Sequence, residues 1–225
     1  MKKTMTTTIK HHLTDDLLMA YAAGNLPEAF SLVVATHVSL CDECRARLME
    51  YEAVGGAVLD DAPECAMAED SFAATMRLID GMPADERIET SAMVRHDGNA
   101  VFPQPLRDYV GGDAEAVRWK SLGGRIRQAV LPTSKEASVR LLYIPAGMAM
   151  PDHGHKGMEL TMVLQGAFED DEGLYARGDV EVANEEMEHT PVAAPGPDCI
   201  CLVATDAPLK FSGLLPRIAQ PFIGI

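Results

Sequence analysis

His37-Val38-Ser39-Leu40-Cys41-Asp42-Glu43-Cys44 places one imidazole and two thiols within eight residues, spaced H-x3-C-x2-C. Residues four apart on a helix share a face, so His37 and Cys41 are expected to project together, with Cys44 closing the same corner from the next turn. Imidazole nitrogen and thiolate sulfur are the donors of tetrahedral zinc, and a structural site normally has four ligands. The fourth is expected from the His11-His12 pair upstream, and the residues themselves do not choose between the two. A redox C-x2-C pair usually follows a strand in a βαβ unit, and no such pattern precedes this one.

Helix signals surround the motif. Thr14 reads as an N-cap, with Asp15 and Asp16 complementing the positive end of a helix that runs to about Ala23 and stops at Gly24. Pro27 suits the first turn of a second helix, whose apolar stripe is Phe30, Val33, Val34, His37, Val38 and Cys41. A third helix is expected over 42–58, with Leu48, Tyr51 and Val54 on one face. So little chain makes a poor core, and a metal is one way to staple it.

The whole chain has 225 residues and a net charge of −15, spread along its length. Such a surface repels phosphates, so direct nucleic-acid binding is not expected, whereas a basic protein partner is electrostatically favoured. Residues 1–10 lack the apolar region of a signal peptide, and no apolar run reaches transmembrane length. Five cysteines, two of them in a metal spacing, suit a reducing compartment, and the expected location is the cytoplasm. Cys65 has no ligand neighbour and reads as a plain thiol.

Residues 59–70 are acidic and rich in alanine. Ser71 then caps a short amphipathic helix in which Phe72, Met76 and Ile79 recur at i, i+4 and i+7. A helix this short is marginal alone; its apolar face is expected either to pack on its own domain or to grip a partner. Residues 83–104 read as an interdomain linker containing a solvated His96. From about Pro105 the character changes to short strands, at 116–122, 124–131, 137–145, 158–168, 179–183, 198–205 and 208–214. The expected domains are therefore 1–82, helical, and 105–225, all-β, as a sandwich or barrel.

The β half carries Gly147-x5-His153-x-His155-x3-Glu159-x6-Gly166, followed by Gly178 and, eleven residues on, His189. On a strand, His153 and His155 project from one face. This pattern resembles the cupin family, double-sheet jelly rolls. The first motif matches throughout; in the second, Asn184, Glu186 and Ala193 replace the family's usual proline, glycine and asparagine. The resemblance implies a metal held by His153, His155, Glu159 and His189. Such a shell suits several divalent metals, and Asp152 and Glu188 are candidate outer carboxylates.

The two halves together resemble the ChrR family of anti-sigma factors. The stretches that carry this are Ile9-Lys-His-His12, Tyr21-Ala-Ala-Gly24, Ala29-Phe-Ser-Leu-Val-Val-Ala-Thr-His37, Leu40-Cys-Asp-Glu-Cys-Arg-Ala-Arg47, Val117-Arg-Trp119, Pro151-Asp-His-Gly-His155 and Asp198-Cys-Ile-Cys-Leu202. The resemblance implies structural zinc on His12, His37, Cys41 and Cys44, and a second divalent metal, expected to be zinc, in the cupin. It also implies an extracytoplasmic-function sigma factor as a one-to-one partner, gripped by the helical half with Phe72, Met76 and Ile79 as candidate contacts. Release under oxidative signals such as singlet oxygen would be governed by the cupin half, with no catalysis. The competing reading is a metal-dependent cupin enzyme with an accessory zinc domain. Met148, Met150, Met158, Met162 and Met187 flank the cupin ligands as candidate oxidation targets, against the plainer role of core filler. Cys199 and Cys201 share a strand face and read as buried small hydrophobes.

Overall fold

The computed structural model describes residues 8–81, 100–208 and 210–211, the last two by backbone alone. The expected His96, most of the expected linker 83–104 and most of the strand 208–214 lie outside these residues. Contacts divide the chain into two compact units, residues 1–55 with 101–225 and residues 56–100. This grouping differs from the boundaries read in the sequence, because the first helices share a unit with the β half.

Helix α1 (Asp15–Ala22) is capped by Thr14, whose side chain accepts from the Leu17 amide. Gly24 follows it at φ 69°, a left-handed turn that suits glycine. Helix α2 (Glu28–Val38) buries Ala29, Phe30, Leu32, Val33, Val34, Thr36 and His37. That is more than one stripe, and a helix buried around most of its circumference needs cover on both sides. Helix α3 (Asp42–Asp60) buries Cys44 and Leu48, while the expected Val54 is exposed. In the second unit, α4 (Ser71–Gly81) buries none of its residues.

Among the described residues, the β half holds three sheets. The largest has six strands: β1 (Lys120–Gly123), β2 (Ile126–Leu131), β3 (Ser138–Ile144), β11 (Cys199–Thr205), β5 (Glu159–Gln165) and β8 (Val180–Ala183), neighbours in that order. A second sheet orders β10 (Val192–Ala193), β6 (Ala167–Asp170) and β7 (Gly173–Ala176), and a third orders β12 (Lys210–Phe211), β4 (His153–Gly154) and β9 (Glu188–His189). The expected strand 158–168 is two, because Gly166 turns at φ 68° where a Cβ would approach the Pro197 and Asp198 carbonyls to 2.8 Å. The short strands β4, β7, β9 and β10 and a helix α5 (Gln104–Val110) were not expected from the sequence. Among the described residues, no helix is long and apolar enough to cross a membrane.

Strands β5 and β11 are buried on both faces, so they read as continuous apolar runs rather than alternating ones. One face of the sheet, with Val163, Cys199, Cys201 and Val203, joins the barrel interior with Phe168 and Tyr175. The other, with Leu160, Met162, Leu202 and Ala204, forms one continuous core with Leu17, Leu18, Phe30, Val33, Leu48 and Leu106. Helices α1, α2, α3 and α5 thus lean on the sheet rather than closing a core of their own. At about 25 cal/mol per Å² of apolar area, each fully buried leucine or valine here contributes roughly 1.5–3 kcal/mol.

Candidate metal centres

The helical segment delivers His12 from the chain before α1, His37 from the last turn of α2, Cys41 from the joining turn and Cys44 from the first turn of α3. Their donor atoms all lie within 4.8 Å of one another. Cys41 Sγ is 3.3 Å and Cys44 Sγ 3.7 Å from His12 Nδ1, and the Cys44 amide donates to Cys41 Sγ at 3.4 Å. His12, not His11, faces the thiols. His11 instead lies against the Tyr175 ring, 4.2 Å between centroids, with Nδ1 3.6 Å from Asp179 Oδ2.

The outer contacts orient both imidazoles. His12 Nε2 is 3.4 Å from Glu43 Oε2. His37 Nδ1 pairs with the Gly178 carbonyl oxygen at 2.8 Å, which leaves the buried Nε2 with no hydrogen-bond partner. A carbonyl can only accept, so Nδ1 carries the proton and Nε2 presents its lone pair to the thiols. Burial drives the His37 pKa down to about 4 against the pull of the Gly178 bond. Burial likewise pushes the Cys44 thiol up to about 11. Without a cation this is two buried thiols and an orphaned ring nitrogen. A tetrahedral cation satisfies all of them, and the donor set fits zinc.

In the β half, β4 and β9 pair His153 opposite His189, and with His155 they form a second buried group. His155 Nε2 and His189 Nε2 are 3.4 Å apart, and His153 Nδ1 is 2.8 Å from the Pro151 carbonyl oxygen. Glu159, expected as a fourth ligand, is not drawn into this group: its carboxyl accepts from the Thr161 hydroxyl at 3.2 Å and lies 3.9 Å from His155 Nδ1. Burial, with the neighbouring Glu181 charge, raises its pKa to about 7.

Two further carboxylates that the sequence reading missed stand behind His189. His189 Nδ1 lies 2.8 Å from Asp170 Oδ2 and 3.3 Å from Glu181 Oε1. Burial alone would lower the His189 pKa, but Glu181 and Asp170 overcome it and lift it to about 9. Burial also raises Glu181 to about 7. Asp152 accepts from the Thr190 hydroxyl and its charge acts on His153, and Glu188 is exposed. Asp170 lies in the acidic run Glu169-Asp170-Asp171-Glu172, at the end of β6.

The remaining candidates scatter. Met148 and Met150 line the barrel interior, while Met162 faces the helices rather than the histidines. Met158 is exposed and Met187 half-buried. Cys199 and Cys201 are buried with their sulfurs 3.5 Å apart. Phe72 is 78%, Met76 39% and Ile79 54% exposed. The departures in the second cupin motif are accommodated by a turn in which Asn184 Oδ1 accepts from the Glu186 amide and Asn184 O from the Met187 amide.

The family model of the ChrR cupin-like domain matches residues 108–208. The Anti-sigma-E factor ChrR of Cereibacter sphaeroides is 56% identical over 218 residues, covering 97% of this chain and 100% of the relative. A crystal structure of Rhodobacter sphaeroides SigE in complex with the anti-sigma ChrR matches with TM-score 0.77 and 53% identity, over 88% of this chain and 100% of that one. With likeness of this extent, the chain belongs to the ChrR family of anti-sigma factors, which are regulatory proteins and not enzymes.

Proposed function

We propose that this chain binds and inhibits an extracytoplasmic-function sigma factor in a one-to-one complex in the cytoplasm. The helical segment, clasped by zinc on His12, His37, Cys41 and Cys44, contacts the sigma factor, and so, separately, do Phe72, Met76 and Ile79 of α4. The cupin half holds a second divalent metal, read as zinc, on His153, His155 and His189 with Glu159 beside them, and governs release under an oxidative signal of the singlet-oxygen kind. The observation that carries the reading is the match to a relative crystallised with a sigma factor. The apolar face of α4, exposed in the chain alone, supports it, because such a face normally marks a docking site.

The ions supply fixed charge and geometry. His12, His37 and the two thiols would link the chain before α1 to the α2–α3 junction, so thiolate ligands would add to the stability of this segment. Co-expression with an extracytoplasmic-function sigma factor from the same genome, with metal counted per chain, tests the reading. Cys41→Ser with Cys44→Ser is expected to abolish capture. His153→Ala or Glu159→Ala is expected to leave capture intact and to impair release by oxidant. Capture that survives loss of both thiols contradicts the role given to zinc.

A further inference from the structure

We propose that Asp179, in the turn between β7 and β8 of the cupin half, is a positioning residue for the zinc cluster of the helical half. The inference rests on the zinc reading above and names which part of the cupin the cluster depends on.

Asp179 is 1% exposed, and each of its oxygens is engaged. Oδ1 accepts from the Lys10 amide at 2.6 Å and the His11 amide at 2.9 Å, while Oδ2 accepts from the Ala176 amide at 2.8 Å. The Val180 amide donates to the His11 carbonyl oxygen at 3.2 Å. The chain before α1 is thereby held at residues 10 and 11, and the next residue is the ligand His12. The residue before Asp179 holds a second ligand: the Gly178 carbonyl oxygen fixes His37 Nδ1 at 2.8 Å. Gly178 has φ 94°, and a Cβ there would meet Ile9 at 2.7 Å, so the turn and the N-terminal segment are closely fitted.

Two adjacent residues of the cupin therefore set the placement of two of the four donors, Gly178 from 141 residues beyond His37 and Asp179 from 168 residues beyond His11, the neighbour of His12. Outer contacts of this kind fix the tautomer and direction of a ligating imidazole. Two residues further along, Glu181 lies 3.3 Å from His189 of the cupin cluster. One short strand, β8, thus touches outer contacts of both clusters. A change at His189 that displaced β8 would reach the zinc donors through the Gly178-Asp179 turn, without the sigma factor touching the cupin.

The test is cobalt substitution of the full-length chain. Thiolate-to-cobalt absorption that is lost in Cys41→Ser with Cys44→Ser reports the Cys41–Cys44 cluster, and the accompanying d–d bands report its tetrahedral geometry. Asp179→Ala is expected to weaken zinc at this cluster about 10–100-fold in competition with a chromophoric chelator and to alter the cobalt bands. Asp179→Asn keeps an oxygen for the Lys10 and His11 amides and is expected to fall between Ala and wild type. Metal affinity at the cupin histidines, measured in a Cys41→Ser, Cys44→Ser background, is expected to be unchanged by Asp179→Asn. If Asp179→Ala does not fold, the intermediate affinity and altered bands of Asp179→Asn carry the result. Both variants matching wild type in affinity and spectrum would overturn the inference. Absence of thiolate–cobalt absorption in wild type would instead overturn the zinc reading beneath it.

Discussion

Asp170 Oδ2 lies 2.8 Å from His189 Nδ1, with both side chains almost free of solvent. This pairing points the other ring nitrogen, Nε2, at His155 Nε2. A carboxylate behind a ligating imidazole fixes the tautomer and raises its basicity. Asp170→Asn is therefore expected to weaken metal binding at the cupin histidines about 10–100-fold, as read by chelator competition, and to leave the thiolate cluster unchanged.

The shared core between helices and sheet has a consequence for stability. Leu202 is fully buried on the sheet face that joins the helical core. Leu202→Ala is expected to cost about 2–5 kcal/mol in urea unfolding followed by circular dichroism. Helical and β signals are expected to shift together; helices that melt at an unchanged midpoint would contradict a common core.

The apolar face of α4 is expected to behave in the opposite way. Phe72, Met76 and Ile79 are exposed in the chain alone, so replacing each by alanine is expected to change stability by no more than about 0.5 kcal/mol. Loss of anchors that become buried against a partner costs more than their exposure suggests. The triple variant is expected to bind the sigma factor about 10-fold more weakly or worse, measured by titration calorimetry.

Acid sensitivity follows from His37. Its pKa falls from 6.5 to about 4 on folding, chiefly through burial. The unfolded chain then binds more protons between these values, so stability is full above about pH 6.5 and declines as pH falls toward 4. The effect is on the order of 3 kcal/mol. In metal-free protein, wild type is expected to lose stability relative to His37→Gln across this window; parallel pH profiles would contradict a buried neutral imidazole.

What the sequence disclosed follows the range of the interactions. Caps such as Thr14, the stop at Gly24 and the H-x3-C-x2-C spacing act within one or two turns, so they can be read from neighbours. Strands β4 and β9 are two residues each, too short for any alternation to show. Helix α5 begins at Gln104-Pro105, where the proline reads as the start of the strand-rich half although it sits in the first turn of a helix. The stripe expected on α2 understated its burial, because its second cover is a sheet more than a hundred residues away in the chain. Asp170 reaches His189, Gly178 reaches His37 and Asp179 reaches residues 10 and 11 through such long-range contacts; the second cupin motif marks Gly178, but not its hold on His37.

The most direct test is one titration: a sigma factor of the extracytoplasmic-function class into the full-length chain, with zinc counted on the same sample, for wild type and for Cys41→Ser with Cys44→Ser. The expected result is a one-to-one complex with the thiolate cluster filled in wild type, and loss of that equivalent of zinc together with loss of binding in the variant. A variant that lacks the zinc yet binds and inhibits as tightly as wild type would contradict the account.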